Sequence, residues 1–143
     1  MQELIRVAVD AMGGDNAPAE IVKGAVEALK ASTDLKVILV GQEEAVQQEL
    51  SKYQYDASRM EVVNATEIIE MAEPPVQAIR SKKDSSIVVA MKLVKNGEAD
   101  AFVGAGSTGA VLVGGQLIVG RLKGVERPPL APLLPTEKGA SLL

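Results

Sequence analysis

Cysteine and histidine are both missing from these 143 residues. Without cysteine there is no disulfide and no thiolate chemistry, which suits a reducing compartment; the expected location is cytoplasmic. Without histidine the segment supplies no Ser-His-Asp arrangement, no Cys-His pair and none of the common zinc sites from its own side chains. Tryptophan is missing as well, and the aromatic rings are limited to Tyr53, Tyr55 and Phe102. The core must therefore be aliphatic, a composition that suits parallel sheets. A basic excess is also lacking, since 15 Lys and Arg stand against 19 Asp and Glu for a net charge of −4. With no basic footprint and few rings to stack on, nucleic acid is not an expected partner. The longest apolar stretch, Ala110 to Val119, has about half of the roughly 20 residues that a membrane span needs. The opening MQELIRVAVD has no basic region leading into a signal-peptide core. No transmembrane segment is expected; peripheral membrane association stays open.

What is present is ordinary for a globular chain, 47% apolar and 24% charged, in a repeating order of apolar run, glycine- or asparagine-containing loop, and apolar residues at helical spacing. That is the βα pattern of a parallel sheet with helices packed on it. Ile5 to Asp10 reads as a first strand, and Ile21, Val22, Ala25, Val26 and Leu29 share one face of a following helix. Lys36 to Val40 is a second strand, Glu43 to Lys52 a helix, and Met60 to Val63 a third strand. Ser85 or Ser86 can cap a helix carrying Ile87, Val88, Met91 and Val94, with Lys95 in its last turn and Gly97 just beyond. Ala99 to Val103 is a further strand, and an apolar stretch ending near Gly120 is a further helix, with Gly114 and Gly115 bringing it close to the sheet. Four prolines between Arg121 and Pro135 predict loop or edge structure. Gly139 then leads into an apolar end at Leu142 and Leu143, which looks cut rather than finished. Nothing divides residues 1 to 143 into two domains.

Two loops could carry chemistry. The first, DAMGGDNAP from Asp10 to Pro18, sits between the first strand and its helix, where ligands bind in open parallel sheets. Gly13 and Gly14 permit close backbone approach, and the helix start can hold an anion. Asp10 and Asp15 would repel one, and the plainer alternative is that Asp15 or Asn16 caps the helix with Pro18 in its first turn. No Gly-Lys-Ser/Thr follows, so this is not a P-loop, and two carboxylates are too few to assign a metal. The second loop, Gly104-Ala105-Gly106-Ser107-Thr108-Gly109, matches G-x-G-x-x-G, the dinucleotide fingerprint. Its surroundings do not, because Glu126, roughly where an acidic ribose ligand would be counted, lies beside Arg127-Pro128-Pro129 rather than at a strand end. As an anion cradle it fits better, with backbone N–H groups exposed by glycine and the hydroxyls of Ser107 and Thr108 at a helix start. A tight turn needed only for packing is the alternative. Two basic clusters, Arg80, Lys82 and Lys83, then Arg121, Lys123 and Arg127, are either solvated surface or sites for phosphate or an acidic partner.

Taken in order, VAVDAMGGDNAP, PPVQAIRSKKDSSI, ADAFVGAGSTGA and GRLKGVERPPLAPLLPT resemble the phosphate acyltransferase family of bacterial phospholipid synthesis. The likeness covers nearly the whole chain; one departure is Ala72 before Glu73-Pro74, where an acidic residue is expected. Members are more than twice as long, so the resemblance implies an amino-terminal part holding only some of the active site and inactive alone. It implies a doubly wound α/β fold, mostly parallel, similar to phosphotransacetylases and isocitrate-type dehydrogenases. It further implies acyl-acyl carrier protein and inorganic phosphate as substrates, a homodimer, and no metal or cofactor. Ser107, Thr108, Asp10 and Asp15 are then the expected catalytic residues. Gly13, Gly14, Gly104, Gly106, Gly109, Arg80, Lys83 and Arg127 are the expected substrate-binding ones. Alternatives are an NAD-dependent dehydrogenase of related fold and a non-catalytic α/β binding module.

Overall fold

The structure, a computed structural model, describes residues 4–142. Four parallel strands, β1 (Ile5–Asp10), β2 (Leu35–Gly41), β3 (Met60–Asn64) and β4 (Ala101–Val103), lie in the order β3-β2-β1-β4. In the register, Val9 faces Leu39 on one side and Val103 on the other, and Leu39 faces Val62. Side chains alternate along a strand, so Val7, Val9, Val37, Leu39, Met60 and Val62 share one face. Ala8, Asp10, Ile38, Val40 and Val63 share the other. The first face is covered by α1 (Ala19–Ala31) and α2 (Glu43–Leu50), whose Val22, Val26, Leu29, Val46 and Leu50 are buried against it. The second is covered by α4 (Ser86–Lys95), where Ala90 meets Ala8, Ile38 and Val40. Helices on both faces of a parallel sheet make this an α/β fold, as the βα pattern predicts. β2, flanked by strands and covered twice, is buried without a break from Val37 to Gly41. Each large aliphatic side chain buried there contributes roughly 1.5 to 3 kcal/mol.

Local chemistry explains where the elements stop. The buried Ser85 caps α4, its hydroxyl oxygen accepting from the Val88 N–H, and Gly97 follows the helix with φ +74, a left-handed angle that glycine adopts without strain. α1 ends where the Arg59 guanidinium donates to the carbonyls of Leu29 (3.0 Å) and Ser32 (2.7 Å), satisfying acceptors that a helix end leaves open. β4 begins two residues later than the apolar run suggests, because the Ala99 N–H is still bonded back to the Leu93 carbonyl; the Asp100 N–H is the first to reach β1, at the Arg6 carbonyl. Asp100 in turn receives the Arg6 guanidinium on both carboxylate oxygens, at 3.1 and 2.8 Å, which fastens β4 to β1.

Three features differ from expectation. A short helix α3 (Pro75–Ser81) was not anticipated; Pro75 at its first position is the available signal, since a proline there loses no hydrogen bond. α5 (Thr108–Gly114) runs on into a π-helical segment, Gly115–Val119, and does not use its glycines against the sheet. A side chain at Gly114 would meet Met91 of α4 and Ile79 of α3, while one at Gly115 would meet nothing. The proline-rich stretch expected to be loop or edge gives way at Leu133 to a hairpin of β5 (Leu133–Thr136) and β6 (Gly139–Leu142), antiparallel and exposed throughout. Leu143 lies outside the described residues.

Candidate functional site

The chain passes from β1 outward to β2 and β3, then returns to the far side of β1 for β4. At this reversal the loops after β1 and β4 leave neighbouring carboxyl ends and enter helices on opposite sides of the sheet. That is the crevice in which open α/β sheets bind ligands. Both glycine loops singled out in the sequence therefore meet at one place, brought together by topology across about 90 residues of chain.

Asp10, the last residue of β1, is their common floor. Its side chain points to the second face and the residue is only 1% exposed. Its carboxylate accepts the Met12 N–H at 3.1 Å. Burial pushes the Asp10 carboxyl above its ordinary range, while its polar neighbours, Ser86 first and then the Met12 and Gly13 amides, pull against that shift. Ser86, at the start of α4, was not among the expected neighbours of Asp10; sequence spacing offered no signal for it, because the two residues lie on different elements.

The glycines have tangible neighbours. A Cβ on Gly13 would stand 2.4 Å from an Asp10 carboxylate oxygen and 2.8 Å from the Gly106 nitrogen; one on Gly106 would stand 3.1 Å from the Gly13 Cα. The two loops thus touch along a seam at Gly13 and Gly106. Gly14, with φ +100, lies over Ala105. Gly104 lies against the Phe102 ring and Gly109 against Pro75. Ser107 is buried and caps α5, its hydroxyl oxygen accepting from the Ala110 N–H at 3.3 Å. That leaves its own O–H hydrogen available to donate. Thr108 is exposed as the first residue of α5, and the amides of Thr108 and Gly109 have no intrahelical acceptor.

Other expected residues stand apart. Asp15 is exposed, and neither it nor Asn16 caps α1; Pro18 occupies the cap position with no side-chain hydrogen bond, and the Glu20 N–H goes to the Asn16 carbonyl instead. Arg80 and Lys83 are exposed at α3 and just beyond it, but Lys82 between them turns to Glu73 and the Ile68 carbonyl. Arg127 is exposed in the segment before the hairpin. A recess of about 450 Å³ runs beside the seam between α1 and β4, lined by Val7, Val9, Ile21, Ala25, Val37 and Val103. Its apolar walls offer an anion nothing. Among the described residues no helix is long and apolar enough to cross a membrane.

Comparison with known proteins gives consistent matches. A family described as fatty acid synthesis protein matches residues 5–143. The chain is 50% identical over 139 residues to a phosphate acyltransferase of Thermoanaerobacter pseudethanolicus, covering 97% of this chain and 41% of the relative. It is 52% identical over 139 residues to one of Syntrophomonas wolfei, 97% and 43% covered, and 55% identical over 139 residues to one of Desulfitobacterium hafniense, 97% and 41% covered. The chain thus spans about two fifths of the length of the curated relatives it matches.

Proposed function

Because this chain belongs to the fatty acid synthesis protein family, we propose that the complete protein is a phosphate acyltransferase, making acyl phosphate from acyl-acyl carrier protein and inorganic phosphate for phospholipid synthesis. The observation that carries this reading is the meeting of the two glycine loops at the β1/β4 reversal, in a chain about half identical to relatives of that name. The dehydrogenase and binding-module alternatives gain nothing from those relatives.

The chemistry asks little of side chains. A phosphate oxygen bonds to the thioester carbonyl carbon, the carbon–sulfur bond breaks, and the carrier thiolate takes up the proton that hydrogen phosphate sheds. No imidazole or thiol is needed, because phosphate is itself the nucleophile. The protein must position it and stabilise the oxyanion, and each oriented donor is worth about 3 to 4 kcal/mol of barrier. The Ser107 and Thr108 hydroxyls and the amides at the start of α5 are proposed as those donors, with Gly104, Gly106 and Gly109 shaping their loop. Asp10, Gly13 and Gly14 form the facing wall and Asp15 its exposed rim. Arg80, Lys83 and Arg127 are proposed contacts for phosphate or the acidic carrier. Residues 1–143 are proposed to be part of a single α/β domain in a cytoplasmic homodimer, with peripheral membrane association open.

The test is phosphate-dependent release of carrier thiol and formation of acyl phosphate by the complete protein, followed by Thr108→Ala. Removing this exposed hydroxyl disturbs no packing and should raise the phosphate KM about tenfold or more, the worth of one hydrogen bond to a charged group. A complete protein releasing no thiol in the presence of phosphate would end the proposal.

A further inference from the structure

Lys82 stands between Arg80 and Lys83, two proposed substrate contacts, yet its charge is turned inward. It is the residue that closes α3. Its ammonium reaches back to the loop leading into the same helix, donating to the Ile68 carbonyl at 2.6 Å and to the Glu73 carboxylate. The Glu73 oxygen that takes it also accepts the Glu70 N–H, at 2.7 Å. The two side chains are 29% and 27% exposed, so water and salt screen the pair less than they would an ion pair out on the surface. Residues 68–73 have no helix or strand of their own, and these bonds close them into a clip against the end of α3. The clip meets the second glycine loop at one point. Pro74 and Pro75 follow Glu73 directly, and each has its φ fixed by its ring, so the position of Glu73 is passed on with little slack. The Pro75 ring then lies 2.7 Å from the Cβ position of Gly109, the residue after Thr108. Behind that contact, Ile69 of the clip shares a buried cluster with Ala110.

We infer that Lys82 and Glu73 are positioning residues, whose ion pair fixes the Pro74-Pro75 corner and through it the place of Thr108 and Gly109 in the second glycine loop. Gly109 has no side chain with which to anchor itself, so the proline ring beside it sets how far it can move on that side. With the pair broken, the clip keeps Ile69 in the core but loses the bonds that hold Ile68 and Glu73 to the end of α3. The corner is then free to draw away from Gly109. Site groups need placement to within about 0.5 Å, so a small slip there is felt by whatever the loop binds. Lys82 as a direct cation beside phosphate makes the opposite forecast for its partner. Neutralising Glu73 would then release the ammonium and tighten phosphate, whereas a clip needs Glu73 as well as Lys82. The kinetic part of the inference rests on the phosphate acyltransferase reading; the structural part does not.

The test uses the complete protein with Lys82→Met, Glu73→Gln and the two combined, read by hydrogen exchange and by steady-state kinetics. Lys82→Met keeps the length of the side chain and removes its bonds. It should raise the phosphate KM about tenfold, the scale of a lost bond to a charged group, and leave the carrier KM as in the parent. Glu73→Gln keeps an acceptor without its charge and should raise the phosphate KM about threefold. The double variant should match Lys82→Met alone, since both changes break one pair. Amide exchange over residues 68–73 and 108–112 should quicken in Lys82→Met, with β2, residues 35–41, unchanged. Parent-like exchange in those two segments, or equal quickening in β2, would overturn the inference. So would a Glu73→Gln protein with parent-like or tighter phosphate dependence, because Lys82 would then act without its partner. A parent that forms no acyl phosphate would sink the functional reading, while the exchange measurements still judge the clip.

Discussion

Replacing the glycines of the seam one at a time with alanine should destabilise the protein in the order Gly13, Gly14, Gly106. At Gly13 the new methyl would sit 2.4 Å from an Asp10 carboxylate oxygen and 2.8 Å from the Gly106 nitrogen. Neither neighbour yields cheaply, because the carboxylate is buried and bonded to the Met12 N–H and the nitrogen is main chain. Overpacking typically costs about 1 to 3 kcal/mol, and Gly13→Ala belongs at about 3. At Gly14 the obstacle is conformational, since φ +100 is strained for an L residue by about 1 to 2 kcal/mol. At Gly106 the nearest atoms are 3.1 and 3.4 Å away and φ is not positive, so a shift of a few tenths of an ångström suffices, at about 1 kcal/mol. Denaturant titrations of the complete protein, with midpoints compared at constant slope, would measure the order. Gly13→Ala at parent stability, or Gly106→Ala costing more than Gly13→Ala, would refute the seam. The seam also bears on kinetic tests, because Gly106→Val would thrust branches at the Gly13 backbone and lose activity for a reason unrelated to phosphate.

Two further outcomes are expected. Hydrogen bonds from Arg6 hold the Asp100 carboxyl below its ordinary value near 3.8, so its stabilisation is present above that value and lost as pH falls through the depressed one. Asp10 has the opposite sign: burial raises its value, so its contribution falls as pH rises from about 3.8 through the raised value. Asp100→Asn should flatten the acid limb of stability against pH, and Asp10→Asn the limb above it; unchanged curves would count against both assignments. Reversing Arg80, Lys83 and Arg127 together in the complete protein should raise the carrier KM and flatten its salt dependence. Lys82 is left alone because it is bonded to Glu73. Unaltered carrier kinetics would return these residues to ordinary surface.

The parallel sheet was legible because its strands are short apolar runs closed by polar or glycine residues, as in Lys36 to Val40. α4 was legible almost to the residue because Ser85, Lys95 and Gly97 punctuate it through strictly local chemistry. α3 escaped because seven residues carry too few turns for a helical period to stand out. The contact between the two glycine loops escaped for another reason: Gly13 and Gly106 are far apart in sequence, and only strand order brings them together. Asp15 misled because a carboxylate just before a helix is a common cap, whereas here Pro18 takes that position and leaves Asp15 outward.

The G-x-G-x-x-G letters show how a motif can be satisfied without its usual ligand. In a dinucleotide site the glycines make room for a pyrophosphate and for helix–strand packing. Here a side chain at Gly104 would meet the Phe102 ring at 2.9 Å, one at Gly106 the Gly13 backbone at 3.1 Å, and one at Gly109 the Pro75 ring at 2.7 Å. Three separate packing contacts, one of them to the unanticipated α3, account for all three glycines. Their presence therefore says nothing for or against a nucleotide. What the loop offers a ligand is set by the groups left facing outward, the Thr108 hydroxyl and the first amides of α5, together with the Ser107 hydroxyl hydrogen. These are the donors proposed for phosphate, and their loop rests on the seam where Gly106 meets Gly13 beside the Asp10 carboxylate.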